Sequence, residues 1–289
     1  MIKITKEILK SIYQARPFEA KKYDYGLLLV IGGGEFYTGS PALSAMAAFR
    51  AGVDMVQILA PKRAADIIAG FSPNLAAYPL NGLWLDEEDL PSLLSFTQSA
   101  QAVAGEKTAV IIGGGLGRSE ETKQTVINYL KEMQNIKAVI DADGIYAVAK
   151  NLELVRGRNF IFTPHAYEFS VLTGREVKGL TLEQKVIIVQ EEAQKLGGII
   201  ILKGKDDVIS DGQEVAIDAS GTPYMTVGGT GDTLAGICGS LLAQGIDPFE
   251  AAQAASYING RAGELATVKF GPGMLATDVI ELIPDIIKN

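Results

Sequence analysis

The chain has 289 residues, 47% of them hydrophobic and 21% charged, with 32 Gly, one Cys and one His. Its 26 basic and 34 acidic residues give a formal net charge of −8, which argues against a nucleic-acid-binding surface, and the lone Cys238 excludes an internal disulfide framework. The single histidine, His165, excludes multi-histidine metal sites. At the N-terminus Lys3, Lys6 and Lys10 interrupt every apolar stretch, and no run approaches about 18 apolar residues. Neither a secretory leader nor a membrane span is expected, and the expected location is the cytoplasm.

Short runs rich in Val, Ile and Leu alternate with helical patterns. Leu27–Ile31 reads as a strand, followed by Gly32-Gly33-Gly34 and a helix over Pro41–Ala51. Ser40 supplies the expected N-cap, Pro41 the first turn, and Gly52 the stop. Val53–Leu59 and Thr108–Ile112 are strands; the second leads through Gly113–Gly117 into a helix over Glu120–Glu132, whose first-turn acids suit the helix dipole. Strands follow at Lys137–Ile140, Asn159–Phe162 and Ile199–Leu202, with helices over Asp143–Ala149, Ala166–Leu172 and from the Thr181 capping box to Leu196. Val208–Ile217 reads as a hairpin turning at Asp211-Gly212. The last third is helical, over Thr233–Gln244, Pro248–Ala266 and Thr277–Ile287. Ala76–Ser92, with several turn residues, reads as a pause too short to divide domains. The expectation is one α/β domain over residues 1–289. Continuous apolar strands need cover on both sides, so the sheet is expected to be mostly parallel, with helices on both faces and an antiparallel edge hairpin.

Six segments can carry chemistry. In Gly228-Gly229-Thr230-Gly231-Asp232 the glycines let backbone N–H groups approach a ligand at a helix start, so Gly228, Gly229, Thr230 and Gly231 form a candidate anion hole. A carboxylate there repels an anion, which suggests that Asp232 takes a proton from a hydroxyl about to receive a phosphoryl group. The residues alone equally allow Asp232 to be a helix cap. Lys203-Gly204-Lys205-Asp206-Asp207 follows a buried strand, where open α/β sheets bind ligands and a lysine can hold phosphate. By itself this stretch is better explained as a solvated hairpin loop, and it lacks the Walker A spacing. The glycine loops at 32–34 and 113–117 are individually ordinary turns; together with the other loops they imply a backbone-lined cleft. His165, in Thr163-Pro164-His165, can hydrogen-bond a substrate or serve structure. Asp141 and Asp143 can hold Mg²⁺ through water or merely cap a helix.

The set GGGEFYTGSP, GGGLGR, IDADG, FTPHAYEF, LKGKDDVISDG and GGTGDTLAG, in this order, resembles the ADP- or ATP-dependent NAD(P)H-hydrate dehydratases of the ribokinase-like superfamily. The resemblance covers about Leu27 to Pro272. It implies a ribokinase-like fold and repair of NADHX and NADPHX. A nucleotide phosphorylates the hydrate hydroxyl, and phosphate then leaves to regenerate NADH or NADPH. Residue by residue it implies that Lys203, Gly204, Lys205, Asp206, Asp207 and Gly231 contact the nucleotide. Asp232 would bind the hydroxyl and act as base, while Ser40, Gly115, Gly117 and His165 would line the hydrate pocket. Mg²⁺ is implied as the counter-ion of the nucleotide, with its ligands unassigned. ADP is favoured because prokaryotic members of this kind use it, and a homotetramer is implied. The chain departs from the family pattern at Gly114, where proline is usual, at Tyr167, where glycine is frequent, and at Ser40, where alanine is frequent. Many relatives carry an N-terminal epimerase domain; only about 25 residues precede Leu27, so that domain is expected to be absent. Two rivals remain open on the sequence: a small-molecule kinase of the same superfamily, of the hydroxyethylthiazole or hydroxymethylpyrimidine kinase type, and a non-catalytic nucleotide-binding regulator.

Overall fold

In the computed structural model, which describes residues 1–288, the strands from Leu27 to Leu202 run parallel, so the loops that follow them lie at the same end of the sheet. Asn289, the last residue of the expected domain, lies outside the described residues. The chain runs through β1 (Ile2–Lys3), α1 (Ile8–Ile12), β2 (Leu27–Ile31), α2 (Ser40–Arg50), β3 (Met55–Pro61), α3 (Lys62–Ala69) and β4 (Ala76–Leu80). It continues through α4 (Leu90–Ala104), β5 (Thr108–Ile112), α5 (Glu120–Glu132), β6 (Lys137–Ile140), α6 (Asp143–Val148), β7 (Ile161–Phe162) and α7 (Ala166–Thr173). It then forms α8 (Leu182–Leu196), β8 (Ile199–Leu202), β9 (Asp207–Ser210) and β10 (Val215–Asp218). Helices α9 (Thr230–Gln244), α10 (Pro248–Phe270) and α11 (Ala276–Ile287) follow.

The sheet order is β1-β10-β9-β8-β7-β6-β5-β2-β3-β4. Only β9 runs against its neighbours, β8 and β10; the other pairings are parallel. The expected hairpin is present at one end of the sheet, and β1 adds a short parallel strand outside it. The strand order reverses at β2, which lies between β5 and β3, so the loops after β2 and β5 flank a switch point of the kind where open sheets bind ligands.

Alternate residues of β2 enter opposite cores. Leu28 and Val30 pack on the side of α2, α9, α10 and α11, whereas Leu27, Leu29 and Ile31 pack on the side of α4 to α8. This two-sided burial is why the strands read as unbroken apolar runs.

Three differences from the sequence expectation have local causes. The supposed pause contains β4, an edge strand, AAYPL, paired only with β3; its Pro79 and exposed residues suit an edge and hide the strand signal. The turn residues after it include Asp86, whose carboxylate accepts from Glu88 N–H, so part of the punctuation belongs to the start of α4, which the sequence reading omitted along with β1, α1 and α3. Helix α9 starts at Thr230 rather than Thr233, because Gly229 at φ +99° turns the chain directly into it.

Candidate functional site

Six loops at the carboxyl ends of β2, β5, β6, β7 and β8 and at the head of α9 touch one another in a closed ring. Gly33 N–H donates to Gly114 O at 2.8 Å, joining the first two glycine loops. Asp143 accepts from Gly117 N–H at 2.9 Å and pairs with Arg118 at 2.6 Å, joining the second loop to IDADG. Thr163 Oγ1 donates to Asp141 at 2.6 Å, and Lys203 N–H donates to Pro164 O at 2.9 Å, joining IDADG, FTPH and LKGK. A Cβ at Gly231 would lie 3.4 Å from Lys203 Nζ, which brings LKGK against the head of α9. Ser40 Oγ donates to Asp232 Oδ1, and the ring closes.

Asp232 is the third residue of α9, not its cap: Gly229 holds that position and Asp232 turns its carboxyl toward Ser40. Ser40 correspondingly is not the cap of α2, because it is the helix's first residue and its hydroxyl is engaged by Asp232. Small residues allow this meeting. A Cβ at Gly236 would fall 2.2 Å from Ser44 O, so only glycine lets α9 approach α2 so closely. Burial pushes the Asp232 carboxyl up to about 7; the neighbouring Asp141 charge adds to this, while the Ser40 bond and Lys203 oppose it. Burial alone would lower Lys203, but Asp141 at 3.3 Å and Glu168 at 3.8 Å outweigh it and hold the ammonium above its ordinary value. The site therefore sets a carboxyl poised near neutrality beside a fixed cation and the free N–H groups of a helix start.

A family model described as NAD(P)H-hydrate dehydratase matches residues 28–285. The chain belongs to the NAD(P)H-hydrate dehydratase family. The ADP-dependent (S)-NAD(P)H-hydrate dehydratase of Cenarchaeum symbiosum is 35% identical over 285 residues, covering 99% of this chain and 96% of that protein. The bifunctional NAD(P)H-hydrate repair enzyme Nnr of Pyrobaculum aerophilum is 42% identical over 276 residues, covering 95% of this chain but 53% of that enzyme. The chain thus spans about half the length of that bifunctional relative. Among solved structures, the ADP/ATP-dependent NAD(P)H-hydrate dehydratase of Bacillus subtilis, co-crystallised with ATP/Mg²⁺, shares the fold with a TM-score of 0.77 at 24% identity, covering 98% of this chain and 96% of that one.

Within this family scaffold the residues expected to act fall into four groups. Ser40, Asp232, Lys203 and Gly231 meet at the centre of the ring, with Gly228, Gly229 and Thr230 at the turn into α9. The solvated-loop reading of Lys203 is overturned, since its side chain is only 22% exposed and ion-paired. Gly115 and Gly117 lie in the second glycine loop, close against Tyr37 and Trp84 respectively. His165 caps α7: its Nδ1 accepts from the Tyr167 and Glu168 N–H groups at 3.2 Å, Glu168 accepts back from His165 N–H, and the half-exposed ring sets Nε2 3.3 Å from Glu168 Oε1. The turn between β8 and β9 is closed by Asp207, which accepts from Gly204 N–H at 2.9 Å and from Ser256 Oγ at 2.8 Å; burial raises its carboxyl to about 6. Lys205 and Asp206 sit in the same turn between β8 and β9.

Sequence reasoning did not pair Asp141 with Lys203, nor did it find Trp84. The Trp84 ring wedges between the glycine loops, where a Cβ at Gly34 or Gly117 would lie 2.5 or 2.8 Å from its Cζ3. Its signal was its position: the chain's only tryptophan, in a turn-rich segment. The idea that Asp141 and Asp143 hold Mg²⁺ meets a different geometry. Asp141 is engaged by Thr163 and Lys203, Asp143 by Gly117 and Arg118, and among the described residues no three metal-ligating side chains converge. The described residues do not build a protein cage for a metal ion. Among the described residues, no helix is long and apolar enough to cross a membrane.

Proposed function

We propose that the protein is an ADP-dependent dehydratase that returns the (S)-hydrates NADHX and NADPHX to NADH and NADPH. The observation that carries this reading is the ring of loops around Asp232, in which a carboxyl near neutrality faces Lys203 and the head of α9. The ADP-dependent relative that matches this chain nearly end to end supports the choice of co-substrate.

In this reading Gly228, Gly229, Thr230 and Gly231 receive the transferring phosphoryl group with their N–H groups, and Lys203 balances its charge. Residues 204–207 hold the rest of the nucleotide. Asp232 accepts the proton of the hydrate hydroxyl as its oxygen attacks phosphorus, and the bond to the nucleotide breaks, releasing AMP from ADP. The new phosphate ester then eliminates. The ring nitrogen pushes its electron pair, the C–O bond breaks, inorganic phosphate departs, and the adjacent carbon gives up a proton to restore the dihydropyridine. Gly115, Gly117, Ser40 and His165 line the space for the hydrate. Mg²⁺ enters with the nucleotide phosphates, as part of the substrate rather than in a protein cage.

Residues 1–289 act in this reading as one catalytic domain, in the cytoplasm, where ADP and reduced nicotinamides occur together. A homotetramer is the assembly we expect; light scattering on the purified protein checks it. The functional test is stoichiometric. With NADHX, ADP and Mg²⁺, each reduced nicotinamide recovered should be matched by one free phosphate. Accumulation of a stable phosphate ester without recovery would mark a kinase instead.

A further inference from the structure

Two serines one turn apart on α2 grip the same residue of α9. Ser40 Oγ donates to the Asp232 carboxyl, and Ser44 Oγ donates to the Asp232 main-chain carbonyl at 3.0 Å. Gly114, in the loop after β5, lies against the first of these contacts. A Cβ there would stand 2.0 Å from Ser40 Oγ and 2.9 Å from Asp232 Oδ1. Its backbone is not in the left-handed region, so conformation does not demand glycine; the space does.

We propose that Ser40 is a positioning residue, whose hydroxyl fixes the direction of the Asp232 carboxylate, and that Gly114 leaves the room this hydroxyl occupies. The reason is geometric. Ser44 anchors the Asp232 main chain to α2 and Ser40 restrains its carboxylate tip, so the side chain is directed from an already fixed backbone. With Ser40 Oγ committed to Oδ1, Oδ2 is the oxygen left to take the substrate proton. The charged groups facing this carboxyl are Asp141 and Lys203, with Glu168 behind Lys203. Ser40 is a neutral donor among them, and it favours the ionised form without placing a second cation against the transferring phosphate. The assignment rests on the base role proposed above for Asp232, but its structural part does not need substrate.

The test has one arm without substrate and one with it. In the first, the Asp232 carboxyl carbon is titrated by NMR, assigned by its loss in Asp232→Asn. Ser40→Ala should move the midpoint upward by about one pH unit, because a bond to the charged form is removed. An unmoved midpoint in folded Ser40→Ala overturns the proposal. In the second arm, Gly114→Ala should lose about 10–100-fold in turnover, because its methyl displaces Ser40 and with it the base. The same change in the Ser40→Ala background should cost less than about threefold, since the 2.0 Å clash with Ser40 Oγ is gone and the remaining 2.9 Å approach to Asp232 Oδ1 is relieved by a small turn of a carboxylate tip that Ser40 no longer holds. Equal losses in both backgrounds overturn it too. If the parent shows no activity on the hydrates, the function above fails while the titration still decides the role of Ser40.

Discussion

Asp232→Asn separates the catalytic value of the carboxyl from its cost to the fold. Asparagine keeps an oxygen to accept from Ser40 and nearly the same shape, so packing between α2 and α9 survives. Basicity is lost, and turnover should fall by about 10²–10⁴. Stability should move the other way. Burial takes the carboxyl from its ordinary range to about 7, a span of about three pH units at about 1.4 kcal/mol each. Below about pH 4 the group is protonated in both folded and unfolded chains and contributes nothing. Between about pH 4 and 7 the folded protein keeps a proton that the unfolded chain has lost, so stability falls as pH rises; above about 7 the whole penalty of about 4 kcal/mol is present. The side chain is only part-buried, and water trims this to roughly 2–4 kcal/mol. The variant lacks the penalty. Urea unfolding should therefore find Asp232→Asn more stable than the parent by roughly 2–4 kcal/mol at about pH 8, and by less than half as much at about pH 5. Equal stabilities at both values, or a variant less stable at the higher one, would refute the claim that the base is held in a destabilised state.

Three further changes probe other parts of the ring. Lys203→Ala should weaken ADP binding about tenfold or more by calorimetry, and also destabilise the fold by a few kcal/mol, because Asp141 and Glu168 lose their shared cation; an unchanged dissociation constant returns Lys203 to a structural role. Gly236→Ala drives a methyl into the Ser44 backbone and should cost about 1–3 kcal/mol in thermal or urea unfolding, with a stability equal to the parent's contradicting the close approach of α9 and α2. Since Trp84 is the only tryptophan, its fluorescence reports the glycine loops directly, and saturation with NADHX or NADPHX should alter the emission; an indifferent spectrum removes Trp84 from the wall of the cleft.

The parallel sheet was legible because its strands, such as Leu27–Ile31, are apolar at every position, and only two-sided cover explains that. The edge strand Ala76–Leu80 was not, since edges tolerate proline and exposed residues and so resemble turns. The site was legible as loops but not as contacts. GGTGD and LKGKDD each suggested phosphate, yet nothing in either spacing says that Lys203 Nζ lies by Gly231 or that Asp141 neutralises Lys203. Ser40 shows the limit most clearly. As a serine before proline at a helix start it reads as a cap, and its true partner lies 192 residues away on α9. Local propensity sees the hydroxyl; only the folded chain supplies the carboxylate.

In the proposed reaction the hydrate hydroxyl, deprotonated by Asp232, attacks the nucleotide and its oxygen leaves in phosphate. Label that hydroxyl with heavy oxygen, incubate the hydrate with the protein, ADP and Mg²⁺, and analyse the products by mass spectrometry. The label should appear in inorganic phosphate, one atom for each reduced nicotinamide regenerated. Label recovered in water, with unlabelled phosphate, would contradict it.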